Sequence, residues 1–242
     1  MTTLIVSDVH LGSSFNRAKD LTSFIKSVDF GKLIILGDLF DRPDFKKLNE
    51  DEWTFLNVLN KISEIKEVIW VEGNHDEMLN KSIPSMFNIR AVKEYDWTIN
   101  GKKLLAIHGH QFDDYTLKKN YLAKFASTIY KGLRSIDEIL DRDIFHPMCY
   151  NNKSWQRVSE TVNIRALEYG KKNKADFVFC GHTHRATNVA KNGVEYFNTG
   201  CWNDRYCHYV LIDDQRVTLN KFTKPVKSIE SSAPRLRLRP AL

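Results

Sequence analysis

The 242-residue chain has 42% hydrophobic and 27% charged residues, ordinary for a globular protein and enough to bury one large core. No apolar run approaches the ~20 residues that cross a bilayer, which excludes a membrane-spanning helix. Of the net charge of +6, the stretch from Lys221 to Leu242 supplies +5, six Lys or Arg against Glu230, so the body is near neutral and carries no strong nucleic-acid signal.

Thr2 to Ser7 reads as a short apolar strand that ends at Asp8. It leaves no room for a cleavable leader, and the cytoplasm is the expected location. Ala18 to Phe30 is predicted helical, with Leu21, Phe24, Ile25 and Val28 on one face. Lys32 to Leu36 is a second buried strand. Asp51 to Ile65 repeats the helical pattern through Trp53, Phe55, Leu56, Leu59 and Ile62, and Glu67 to Val71 is a third strand. The β-α-β-α-β rhythm predicts parallel pairing with crossover helices.

Hairpins follow. Asp96 to Ile99 and Lys103 to His108 flank Asn100-Gly101, and Thr187 to Lys191 and Val194 to Asn198 flank Asn192-Gly193. Asp176 to Cys180 is a buried strand between them, and Tyr206 to Asp213 with Arg216 to Phe222 closes the fold. The stretch 113–172, from Asp113 to Lys172, is helical without strand signals and reads as an insertion. Its residues Leu117, Tyr121, Leu122, Phe125, Ile129 and Leu133 recur at helical spacing, among Lys118, Lys119, Lys124, Lys131 and Arg134. A main domain over 1–222 is expected, followed by a basic, flexible tail over 223–242. Binding of phosphate, or peripheral contact with the inner face of a membrane, is the alternative use of that tail. Cys149, Cys180, Cys201 and Cys207 have neither zinc-knuckle nor disulfide-framework spacing, and are expected to be reduced and mostly buried.

Polar residues gather where the strands end: Asp8-Val9-His10, Gly37-Asp38, Gly73-Asn74-His75-Asp76, His108-Gly109 and Gly181-His182-Thr183-His184. Carboxyl ends of parallel strands are where ligands converge, because the loops there vary while the sheet stays rigid. Asp8, His10, Asp38, Asn74, His108, His182 and His184 offer the number and mixture of N and O donors that two divalent ions need around a shared carboxylate. Such a pair activates water for in-line attack on phosphorus.

With these motifs the sequence resembles the calcineurin-like metallophosphoesterases, whose signature runs DxH, GD, GNH(D/E), GH, GHTH. The resemblance implies an α/β fold, a four-layer α-β-β-α sandwich, with the site at the sheet edges. It implies one ion on Asp8, His10, Asp38 and His184 and a second on Asp38, Asn74, His108 and His182. Mn is favoured for the mixed donors, with Fe, Zn, Ni and Co open. It also implies that His75 protonates the leaving oxygen or stabilises the transition state, with Asp76 orienting its ring. Arg42, beside Asp41, is a candidate substrate contact.

Ser7 to Gly12, Leu36 to Asp41, Gly73 to Glu77, His108 to Asp113 and Asn198 to Trp202, together with the insertion, are similar to the UDP-2,3-diacylglucosamine pyrophosphatases of lipid A synthesis. That resemblance implies a small-molecule, lipid-linked phosphoester substrate, with the insertion as a cap whose Lys118, Tyr121, Leu122 and Phe125 meet it. A phosphodiesterase or phosphatase of another substrate, a nuclease included, stays open, as does a non-catalytic scaffold. The oligomeric state is open.

Overall fold

The computed structural model describes residues 1–79, 83, 87–114 and 152–223. Two sheets face each other. The first has the order β11-β10-β1-β2-β3-β4, built from β1 (Thr3–Val6), β2 (Lys32–Leu36), β3 (Glu67–Val71), β4 (Arg90–Val92), β10 (His208–Ile212) and β11 (Val217–Lys221). The second has the order β5-β6-β7-β9-β8, from β5 (Glu94–Ile99), β6 (Lys102–Ile107), β7 (Phe177–Cys180), β8 (Thr187–Lys191) and β9 (Val194–Asn198). β1, β2, β3 and β4 run parallel, as do β6, β7 and β9.

The apolar runs of the parallel strands are buried on both faces, and alternation along them sorts the layers. Ile5, Ile34, Leu36, Ile69 and Val71 point at the second sheet and pack with Leu104, Ala106, Phe179 and Phe197. Leu4, Val6, Leu33, Ile35 and Trp70 point the other way, against α1 (Ala18–Ser27) and α2 (Glu50–Ser63) through Leu21, Phe24, Phe55 and Leu59. On the far side α3 (Lys153–Lys172) covers the second sheet, with Val178 and Tyr196 against Ala166 and Leu167. It packs so closely that a Cβ at Gly170 would stand 2.3 Å from Val178 Cγ2. The order of layers is α-β-β-α. The last helix of the expected insertion therefore belongs to the body of the sandwich.

Both Asn-Gly turns form, with φ of +49° and +76° at Asn100 and Gly101 and +55° and +80° at Asn192 and Gly193. Some expectations fail locally. The first helix stops at Ser27 because Val28 is extended. Trp53 is 44% exposed, not on the buried face of α2. Its place is taken by Glu52, a step of about 100° around the helix, whose carboxylate accepts from Asn49 N in a capping box. Cys180, Cys201 and Cys207 are buried free thiols, as expected, and Cys149 lies outside the described residues. No helix among the described residues is long and apolar enough to cross a membrane. The tail beyond residue 223 lies outside the described residues.

Candidate metal centre

β1, β2 and β3 deliver Asp8, Asp38 and Asn74 at their carboxyl ends, while β6 and β7 deliver His108 and the pair His182 and His184. The first two loops are zipped together by Asp8 N donating to Gly37 O (3.1 Å), His10 N to Asp38 O (3.0 Å) and Leu11 N to Leu39 O (2.9 Å). Glu52 adds a tie, accepting from Gly12 N at 2.5 Å. Asp8, His10, Asp38, His182 and His184 all have positive φ, from +48° to +64°. Left-handed backbone costs non-glycine residues about 1–2 kcal/mol each. Such strain concentrates where a side chain must be aimed for function.

Asp8, His10, Asp38 and His184 bring their side chains together, while His182 enters none of the groups that follow. His184 Nε2 lies 3.2 Å from Asp8 Oδ1 and 3.2 Å from His10 Nε2. Asp38 Oδ2 lies 3.5 Å from His108 Nε2, 3.7 Å from His10 Nε2 and 3.9 Å from His75 Nε2. Three groups bring their donor atoms within 4.8 Å of one another: Asp8, His10 and His184; Asp8, Asp38 and His108; His10, Asp38 and His75. Asp8, His10 and Asp38 each sit in two of them, and the Asp38 carboxylate lies between His10 and His108, as a shared carboxylate would. His108 Nε2 and Asn74 Oδ1 are buried and make no hydrogen bond in the protein. Unsatisfied buried groups are costly, and a cation among carboxylates and imidazoles would satisfy them. These residues fit divalent metal.

Hydrogen bonds identify which ring nitrogen faces inward, since a carbonyl or carboxylate only accepts. His108 Nδ1 donates to Leu36 O (2.9 Å), which turns Nε2 toward Asp38. His75 Nδ1 donates to Asp41 O (2.8 Å), leaving Nε2 toward the same carboxylate. His182 Nε2 donates to Asp113 Oδ2 (3.0 Å), so its lone pair is on Nδ1. The field is consistent with an acid-rich centre. Against burial, His184 holds Asp8 below the usual carboxylate range, and His108, His10 and His75 hold Asp38 well below it. Despite burial, Asp38 lifts His108 to about 9. Burial, with His108 and His182 adding to it, lowers His110 to about 4.

Other expected site residues are placed differently. Asp76 does not touch the His75 ring in the way the motif suggests. It is fully buried beneath the loop and accepts from Leu39 N, Phe40 N, Gly73 N and Trp70 Nε1 at 3.0–3.3 Å, so it staples the ends of β2 and β3 together. Burial and the Asp38 carboxylate push Asp76 up to about 7, opposed by those backbone donors. Asp41 O is the ring's anchor instead. The Arg42 side chain is 70% exposed and lies 3.8 Å from Asp41, at the rim. Lys118, Tyr121, Leu122 and Phe125 lie outside the described residues. Sequence reasoning gave no role to Asp113 or His110, and the second histidine of His108-Gly109-His110 was the one available signal.

A family model described as Calcineurin-like phosphoesterase matches residues 1–186. The chain belongs to the calcineurin-like phosphoesterase family. It is a phosphoester hydrolase of the metallophosphoesterase type, with a candidate site for divalent metal. No curated protein matches the chain. Among solved structures it is similar to a single-site variant of Vps29 from Entamoeba histolytica, with 14% identity, a TM-score of 0.50, and 92% of this chain and 100% of that chain covered. A structure described as a novel archaeal phosphodiesterase gives the same identity, TM-score and coverage. At this identity the likeness shows the fold, and two facing sheets with helices outside are what calcineurin-like phosphoesterases share with it.

Proposed function

We propose that this phosphoesterase holds two divalent ions, Mn favoured, and cleaves the pyrophosphate of UDP-2,3-diacylglucosamine or a related lipid-linked nucleotide sugar to UMP and a lipid sugar phosphate. The observation that carries the dinuclear reading is Asp38, whose Oδ2 stands between His10 at 3.7 Å and His108 at 3.5 Å, one from each ligand set. Asp8, His10, Asp38 and His184 would hold one ion and Asp38, Asn74, His108 and His182 the other. Bound there, the ions supply Lewis-acid stabilisation of phosphoryl charge and a lowered pKa for the attacking water. His75 contributes a proton. With Nδ1 fixed on Asp41 O and the side chain 39% exposed, Nε2 is the nitrogen that would pass a proton to the leaving oxygen.

The substrate reading rests on the segment that begins at Asp113. A small diester needs no apolar lid, whereas each buried acyl methylene contributes about 0.8 kcal/mol. Leu122 and Phe125 would supply that surface, and Lys118, Lys119, Lys124, Lys131 and Arg134 would offset diphosphate charge. The root of the segment adjoins the centre, since Asp113 bonds to His182.

The test compares turnover of UDP-2,3-diacylglucosamine, UDP-N-acetylglucosamine, cyclic AMP, a phosphoserine peptide and single-stranded DNA with Mn, alongside metal stoichiometry for the wild type and Asp38→Asn. Two ions in the wild type, their loss in the variant and preference for the acylated substrate are expected. Replacing Leu122 and Phe125 by Asp should damage that turnover far more than hydrolysis of a small chromogenic diester. Preference for cyclic AMP, peptide or DNA would sink the lipid assignment and leave the metal chemistry standing. One ion per chain would sink the dinuclear reading.

A further inference from the structure

We infer that Asp113 is a positioning residue for the second ion: its carboxylate keeps a hydrogen on His182 Nε2 and so presents Nδ1 as the ligating nitrogen. The inference rests on the dinuclear reading above and deepens it. Asp113 Oδ2 is 3.0 Å from His182 Nε2, with the two side chains 8% and 10% exposed. A neutral imidazole has one in-plane lone pair, and fixing the hydrogen on Nε2 leaves it on Nδ1. A carboxylate behind the ring also makes that nitrogen a better donor to a cation.

The ring is held at both ends. The His182 backbone N–H donates to both Asp8 carboxylate oxygens at 3.1 and 3.2 Å, fixing the Cα, while Asp113 fixes the far nitrogen. Asp113 is itself held from both sides. Its N–H donates to His110 O (3.1 Å), closing the short turn His110–Phe112. Its neighbour Asp114 accepts from Nη1 and Nη2 of Arg165 on α3, each at 2.8 Å, and Arg165 Nη1 donates to Phe112 O at 2.9 Å. His108, the other imidazole of the proposed second site, is anchored on the neutral Leu36 carbonyl. The two rings thus have unlike anchors, and removing a carboxylate should weaken the second ion selectively.

The experiment titrates metal-free wild type, Asp113→Ala and Asp113→Asn with Mn, read by calorimetry and by electron paramagnetic resonance. Wild type is expected to bind two ions and give an exchange-coupled spectrum. Asp113→Ala should bind the first ion as wild type does and the second about 10–100-fold more weakly, with an isolated-ion spectrum at one equivalent. Asp113→Asn, which keeps a neutral acceptor, should fall between. Wild-type affinity and coupling in Asp113→Ala would overturn the inference. Fewer than two ions in the wild type would overturn the dinuclear reading instead. Should Asp113→Ala not fold, nitrogen-detected NMR of metal-free wild type decides the matter: hydrogen on His182 Nε2 is expected, and the opposite tautomer refutes it.

Discussion

His75 Nδ1 stands 2.8 Å from the main-chain oxygen of Asp41, a residue 34 positions earlier in the chain. A backbone carbonyl is a fixed acceptor that no side-chain rotation removes, so the ring is aimed by the fold itself. The loop after β2 therefore supports both Asp38, the proposed shared carboxylate, and the proposed proton donor.

His75→Ala is accordingly expected to keep its metal content, since Nδ1 is engaged by the backbone and Nε2 is 3.9 Å from Asp38 Oδ2. Turnover should fall by about 10²–10⁴, the range for losing a general acid. Metal analysis beside kinetics on a chromogenic diester checks it. Loss of an ion would instead make His75 a ligand within the group it forms with His10 and Asp38.

Asp76, next in sequence, should behave in the opposite way. Asp76→Ala would leave three backbone N–H groups and the Trp70 indole N–H buried without their acceptor. Each such group costs about 1–3 kcal/mol, and partial relaxation sets an expected loss of about 3–5 kcal/mol. Urea unfolding of the metal-free protein, followed by Trp fluorescence, measures this. A stability change under about 1 kcal/mol would contradict the staple role.

The contrast shows what a sequence conveys. The strand ends were legible because a buried apolar run followed by Gly, Asp or His is a local pattern. Asp8, Asp38 and His108 announce themselves in this way. Asp113 and Asp41 act through pairings 69 and 34 positions away, and no local pattern carries that information. Asp76 misled because adjacency to His75 suggested contact, whereas the turn sends one side chain outward and the other beneath the loop. β4 escaped notice because Arg90–Val92 is three residues long and only partly buried. Hydrophobicity alone puts Trp53 on a buried face, whereas the capping box turns Glu52 inward there.

Gly181 offers a test of how closely the loops are fitted. A Cβ there would lie 2.4 Å from Asp8 Oδ2 and 2.8 Å from Ser7 Cβ, both at the end of β1. Gly181→Ala should therefore displace Asp8, weaken metal binding at least tenfold, and cost about 1–3 kcal/mol by overpacking. At Gly193 nothing lies within 4 Å but φ is +80°, so Gly193→Ala should cost about 1 kcal/mol and leave metal affinity unchanged. Calorimetric metal titration of both variants separates the two cases. Equal affinities would mean that the Asp8 loop yields without consequence.

The last expectation concerns acid stability and lies at the far end of the second sheet. Asp176, partly exposed just before β7, accepts from Lys102 Nζ at 2.8 Å and from Lys103 N at 2.9 Å, joining the starts of β6 and β7. The Lys102 hydrogen bond, then that of the Lys103 N–H, hold its carboxyl below the ordinary value of 3.8. A depressed folded pKa means that the unfolded chain takes up the proton first as pH falls. The contribution is therefore complete above the unfolded value and is lost as pH drops through the folded one. Asp176→Asn should be less stable than wild type at neutral pH, with the gap starting to close near about pH 5 and closing as pH falls through the depressed folded value. Thermal unfolding of both proteins across that range measures the gap. A difference that stays constant with pH would show that the substituted amide loses shape or hydrogen-bond geometry rather than charge.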